Sequence, residues 1–161
     1  MNFLESLAAE WYGYKGYFVR SNIRVEKLVR GGYGAELDVL AYSPMKGELL
    51  HIETSSDADS WSVRKDRLLK KFRFSHEQYE KLFSVRIDKV RKIAVCGFSF
   101  NSRSLKLGDI ELRSVREFLC EISEELSHKD LMREAVPESY PLLRAIQMST
   151  WAMKKSDKER R

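Results

Sequence analysis

Cysteine is scarce in this chain of 161 residues, with two in all, Cys96 and Cys120, and neither a Cys-x-x-Cys motif nor a cysteine and histidine cluster. That scarcity argues against a disulfide framework and against a structural zinc, and both cysteines are expected to be small core residues. Long apolar runs are missing as well. No stretch approaches the roughly 20 residues that a membrane helix needs. The opening Met1-Asn2-Phe3-Leu4-Glu5 lacks the basic segment and apolar run of a secretory leader, so a cytosolic protein with no membrane partner is expected. Gly31, Gly32 and Gly34 lack the third glycine and the immediate helix of a phosphate-binding loop, and they serve only as a flexible connection.

What the chain does have is the balance of a folded domain, 43% hydrophobic and 33% charged. One domain over 1–153 is expected, followed by a basic tail over 154–161. Phe3, Leu4, Leu7, Ala8, Trp11 and Tyr14 recur at helical spacing behind an Asn2 and Glu5 cap pair, which predicts an amphipathic first helix. From Tyr17 the pattern alternates, with Tyr17, Val19, Ser21, Ile23 and Val25 on one side and Arg20, Asn22 and Arg24 on the other, which predicts a strand. Residues 36–40 and 49–54 predict two more strands, joined by a hairpin turn over 43–47. A helix over 61–83 should follow, then a buried strand over 92–98 and a polar loop over 99–104. Ile110-Glu111-Leu112 reads as a short edge strand, Ser114-x-x-Glu117 as a capping box opening a helix, and the last helix starts at about Ser139. This order predicts an α/β fold with a mixed β-sheet flanked by helices. The last helix either completes the core or forms a homodimer contact, and the sequence leaves both open.

Two carboxylates draw attention. Asp38 and Glu53 lie on adjacent predicted strands that are otherwise apolar, where a charge is costly to bury unless it is paired, hydrogen-bonded or bound to a cation. A shared divalent metal supplies one such cation, and a solvated sheet face is the plain alternative. His51, two residues before Glu53 on the same strand face, is expected to be structural, with the cleft as its alternative place. His76 falls inside the apolar stripe of the 61–83 helix and is expected to pack.

The order of these features, a helix carrying Glu10, a strand, Gly31-Gly32, Glu36-x-Asp38, a hairpin, and an apolar strand ending in Glu53-Thr54-Ser55, resembles the PD-(D/E)XK nuclease superfamily. Within it, the chain resembles archaeal Holliday-junction resolvases and related restriction-type enzymes, over roughly residues 5–98. The resemblance implies a restriction-endonuclease-like fold and a Mg²⁺- or Mn²⁺-dependent endonuclease acting on nucleic acid, DNA first. It also implies that Asp38, Glu53 and Glu10 form the metal site, with the Thr54 carbonyl contributing. Ser55 stands where that family has its motif lysine. If the enzyme is active, a cation must replace it. On one continuous helix with Trp61 at zero, Lys65 falls at about 40° inside the apolar stripe, Lys71 at about 280° on its flank and Lys70 at about 180° facing away. Lys65 is therefore the first candidate for the missing catalytic charge, and Lys71 the second.

The net charge of +5 is concentrated where a polyanion would meet it. Residues 64–73 hold Arg64, Lys65, Arg67, Lys70, Lys71 and Arg73 against the single acid Asp66, and the tail adds Lys154, Lys155, Lys158, Arg160 and Arg161. Arg20, Arg24, Arg64, Arg67, Lys70 and Arg73 are the candidate nucleic-acid contacts, although solvated surface explains basic helix faces equally well. Two rival functions stay open: a nucleic-acid-binding module that has lost cleavage with its lysine, and a protein-interaction subunit whose acids are merely solvated.

Overall fold

The Asn2 side chain accepts from the Glu5 N–H while the Glu5 carboxylate accepts from the Asn2 N–H, and this reciprocal cap starts helix α1, Phe3–Tyr14. The computed structural model describes residues 2–56, 59–97 and 106–159, with side chains described as far as Lys154. After α1 come strands β1 (Phe18–Lys27), β2 (Tyr33–Ser43) and β3 (Glu48–Ser55). Helices α2 (Trp61–Lys71) and α3 (His76–Phe83) cross to strand β4 (Lys89–Cys96). Strands β5 (Lys106–Leu107) and β6 (Ile110–Ser114) and helices α4 (Val115–Ser127) and α5 (Pro141–Glu159) complete the described chain. The predicted loop over 99–104 and the tail residues Arg160 and Arg161 lie outside the described residues, as do the side chains of Lys155 and Lys158.

The strands form one six-stranded mixed sheet in the order β1-β2-β3-β4-β6-β5, so the expected α/β class holds. The first three strands pair antiparallel, β3, β4 and β6 run parallel, and β5 returns antiparallel on β6. Ile110-Glu111-Leu112 is therefore an inner strand rather than an edge, because the two-residue β5 covers it.

Alternation along the central strands divides the core between two layers. Val39, Ala41, Leu50, Ile52, Ile93 and Val95 face α1, α4 and α5 through Leu7, Trp11, Phe118, Ile122 and Leu143. On the other side Leu40 and Leu49 meet Phe74 and Tyr79, while Ala94 and Cys96 meet Leu68 and Phe72. Each such large side chain contributes about 1.5–3 kcal/mol when taken out of water. Cys120 departs from expectation, since it is exposed on α4, whose buried residues are Phe118, Ile122 and Leu126.

Two further departures reshape the site. The predicted 61–83 helix is two helices, because Ser75 and Gln78 form a second capping box that starts α3 afresh. His76, at the start of α3, is exposed rather than packed, and its Nε2 bonds the Ile87 carbonyl at 2.6 Å. The alternation of β1 also slips by one residue. Val19 and Val39 join the α1 side, whereas Ile23 and Leu37 join the α3 side, with Asn22 between them at φ 53°. Positive φ at a non-glycine residue is uncommon, and here it turns the strand over. Arg20 and Arg24 consequently do not share a face as predicted. Arg20 bonds the Leu82 carbonyl on α3 at 2.7 Å, and Arg24 pairs with Glu36 at the surface.

Candidate functional site

The hairpin register places the site. β2 and β3 pair from Ser43 with Glu48 to Val39 with Ile52, and the next step would set Asp38 opposite Glu53. There the backbone ladder ends and side chains take it over. The Asp38 N–H donates to Glu53 Oε1 at 3.2 Å, and the Thr54 N–H donates to Asp38 Oδ2 at 2.9 Å, with the Thr54 hydroxyl at 3.3 Å from the same oxygen. Each carboxylate thus satisfies an amide of the opposite strand, which fixes both acids at the point where the strands part.

Both acids are buried, at 8% and 2% exposure for Asp38 and Glu53. Taking two like charges out of water costs several kcal/mol per ion, so compensation is required. Lys71, the last residue of α2, provides much of it. Its ammonium lies 2.9 Å from Asp38 Oδ1, 2.7 Å from Glu53 Oε2 and 2.9 Å from the Glu36 carbonyl. The remaining oxygen, Glu53 Oε1, lies 2.7 Å from His51 Nε2, and His51 Nδ1 lies 2.7 Å from the Tyr79 hydroxyl. Burial, helped by the Glu53 charge, raises the Tyr79 hydroxyl above its ordinary value, so it keeps its proton beside Nδ1. The ionised Glu53 carboxylate can only accept, so His51 Nε2 carries a hydrogen and donates to it.

This asymmetry separates the two acids. Burial and the neighbouring Glu53 charge hold the Asp38 carboxyl above the ordinary carboxylate range, against the pull of Thr54 and Lys71. Burial pushes Glu53 upward too, but the His51 ring and the Lys71 ammonium outweigh it and leave that carboxyl below its ordinary value. The same two acids raise Lys71 despite its own burial. The two acids thus share Lys71, and Glu53 alone has His51 as a second partner.

Of the two lysine candidates, the structure brings Lys71 to the acids and leaves Lys65 exposed on the outside of α2. The physical reason is the helix break. The inward stripe of α2 is Arg64, Leu68 and Lys71, spaced i, i+4, i+7, while Trp61, Lys65 and Leu69 face solvent. A search for apolar spacing follows the wrong stripe, because two of the three inward residues are cations. Arg64 and Arg67 line a small pocket of about 40 Å³ with Glu53, Thr54, Ser55, Leu68 and Lys71, and Arg67 also pairs with Asp59 at 2.6 Å. Lys70 is exposed, and Arg73 pairs with Glu26, so neither lines this pocket.

Glu10 does not belong to the site. Its Oε2 accepts from the N–H groups of Leu142 and Leu143 at 2.9 and 3.1 Å, which sets a negative charge at the start of α5. α1 also packs on the opposite sheet face from Lys71 and Tyr79. What sequence patterning missed is Tyr79 and the chain it forms with His51 and Glu53.

Among the described residues no group of three or more acids, histidines or cysteines is arranged as a metal site. The donor chemistry nevertheless fits a hard divalent ion, which needs only one or two protein carboxylates and keeps several waters. Asp38 Oδ1 and Glu53 Oε2 converge on one cation position, now filled by the Lys71 ammonium. No helix among the described residues is long and apolar enough to cross a membrane. Protein-family models, curated proteins and solved structures give no match to this chain.

Proposed function

We propose that the protein is a divalent-cation-dependent endonuclease of the restriction-endonuclease-like kind, hydrolysing phosphodiester bonds in DNA. The observation that carries this reading is the convergence of Asp38, Glu53 and Lys71 at the point where β2 and β3 part. Asp38 and Glu53 would hold Mg²⁺ or Mn²⁺, which when bound lowers the pKa of an attacking water and offsets charge on the scissile phosphate. Lys71 restores from α2 the positive charge that Ser55 lacks at the strand end, and places it beside both carboxylates. Arg64 and Arg67, at the pocket next to Glu53, hold the phosphate chain against the site.

A second reading has support of its own. The Lys71 ammonium satisfies both acids without any metal, as it would in a nucleic-acid-binding fold that has stopped cleaving. Incubation with supercoiled plasmid and with branched duplexes, in Mg²⁺, in Mn²⁺ and in excess chelator, separates the two. Chelator-sensitive nicking that disappears in Asp38→Asn supports the nuclease. Salt-sensitive binding with no product in either metal supports the binding module.

A further inference from the structure

The two oxygens of Glu53 are used differently. Oε1 receives the His51 Nε2–H at 2.7 Å and the Asp38 N–H at 3.2 Å, whereas Oε2 meets Lys71 at 2.7 Å. His51 is completely buried, its ring centroid lies 4.6 Å from that of Phe72, and its far nitrogen lies 2.7 Å from the hydroxyl of Tyr79, itself 1% exposed. A buried histidine needs a partner at each nitrogen, and nearby backbone groups would satisfy both. Here its two nitrogens link a hydroxyl on α3 to one chosen oxygen of a site acid on β3.

We propose that His51 and Tyr79 are a positioning pair that commits Glu53 Oε1 to the protein and presents Oε2 alone to the cation at the Asp38 and Glu53 position. This rests on the cation-dependent reading of the site and adds that the donor count offered by Glu53 is set from α3. Tyr79 anchors the far nitrogen of the His51 ring, His51 fixes the rotation of the carboxylate, and neither touches substrate. Partners that orient ligands in this way typically change metal affinity by about 10- to 100-fold when removed.

The test is calorimetric titration of the full chain with Mn²⁺ alone, for wild type, Tyr79→Phe, His51→Gln and His51→Ala, beside their thermal unfolding. Tyr79→Phe keeps the ring and removes only the hydroxyl, so it remains informative if His51→Ala fails to fold. Weakening of Mn²⁺ binding by roughly tenfold in His51→Ala, by less in Tyr79→Phe, and partial recovery in His51→Gln, whose amide still donates, is the expected order. Folded variants that bind Mn²⁺ within twofold of wild type overturn the proposal, whether or not they lose thermal stability. Single-turnover cleavage on the same preparations keeps the two ideas apart. Weakened binding in a chain that never cleaves DNA supports the positioning pair and removes the nuclease. Unchanged binding in a chain that cleaves does the reverse, and a wild type that binds no Mn²⁺ overturns both.

Discussion

Two clusters of charge sit on opposite faces of the same sheet, and they are built on different rules. Beside α4, Glu111 receives the Arg113 Nε–H on one oxygen and an Arg91 Nη2–H at 2.9 Å on the other, while Arg113 also reaches Glu121 at 2.7 Å. That carboxylate is 30% exposed and meets two guanidiniums, Arg113, which it shares with Glu121, and Arg91, which also lies 3.7 Å from Glu48. Beside α2, Asp38 and Glu53 are 11% and 3% exposed along their side chains and share one ammonium. Burial would raise Glu111, but hydrogen bonds from Arg113 and Arg91 outweigh it and hold the carboxyl below its ordinary value. At Asp38 burial and a second acid win, and its carboxyl lies above. In the first cluster the guanidiniums favour the Glu111 charge where it stands. The second keeps a buried Asp38 whose charge is disfavoured, an arrangement that clusters at functional sites.

Removing the disfavoured charge should expose this contrast most strongly. Asp38→Asn is expected to reduce chelator-sensitive cleavage by roughly 10³-fold or more, because it takes away an oxygen charge at the cation position. Its melting temperature should stay level or rise, since the charge removed was disfavoured in the fold. Glu53→Gln should lose cleavage equally and also melt lower, because Glu53 is favoured as the charged form. Full activity in either folded variant would contradict the assignment of the site.

Lys71→Met is expected to slow single-turnover cleavage by roughly 10²-fold. Mn²⁺ titration should then show tighter binding than in wild type, because the ammonium no longer occupies the position between the acids. Lys65→Met should leave both measurements unchanged, being exposed on the far side of α2. A cleavage defect in Lys65→Met with Lys71→Met intact would reverse the choice.

At the Glu111 cluster the same kind of change should read only as stability. Glu111→Gln removes a half-exposed pairing, for which a loss of about 1 kcal/mol in chemical denaturation is expected, discounted for solvent screening. Cleavage per folded molecule should not move. A loss of activity there would mean that the two faces are coupled.

The strands and their carboxylates were legible because period-2 alternation and hairpin chemistry are local signals, and Asp38 and Glu53 broke an apolar pattern in plain view. The lysine was harder. Its position depends on where α2 ends, and the Ser75 and Gln78 cap that ends the shared phase was present in the sequence but hidden inside a continuous apolar count. Glu10 followed the resemblance rather than any local signal, and only the tertiary placement of α5 shows what its carboxylate does. The slip at Asn22 was not legible from alternation, which by itself cannot announce where a strand turns over, although asparagine is one of the few residues that tolerate a positive φ.

The smallest expected effect concerns acid, and it tests the comparison with the metal absent. In chelator, urea unfolding of wild type, Asp38→Asn and Glu111→Gln is followed from pH 7 downward. Glu111 has a folded value below its unfolded one, so the stability it adds is present above the ordinary glutamate range and is lost as pH falls through the folded value. The advantage of wild type over Glu111→Gln should therefore start to close only below about pH 4.5, where the unfolded chain begins to take up the proton. Asp38 has the opposite sign. Its folded value is raised, so the ionised carboxylate weakens the fold at pH 7, and protonating it restores stability as pH falls through that raised value. Any deficit of wild type against Asp38→Asn should accordingly close above the ordinary aspartate value of about 3.9, before the Glu111 difference has finished changing. The two gaps thus have opposite signs at neutral pH and close in a fixed order on acidification. If both close together below pH 4 with the same sign, the Asp38 charge is as well favoured as that of Glu111, and the disfavoured charge that argues for a bound cation is not there.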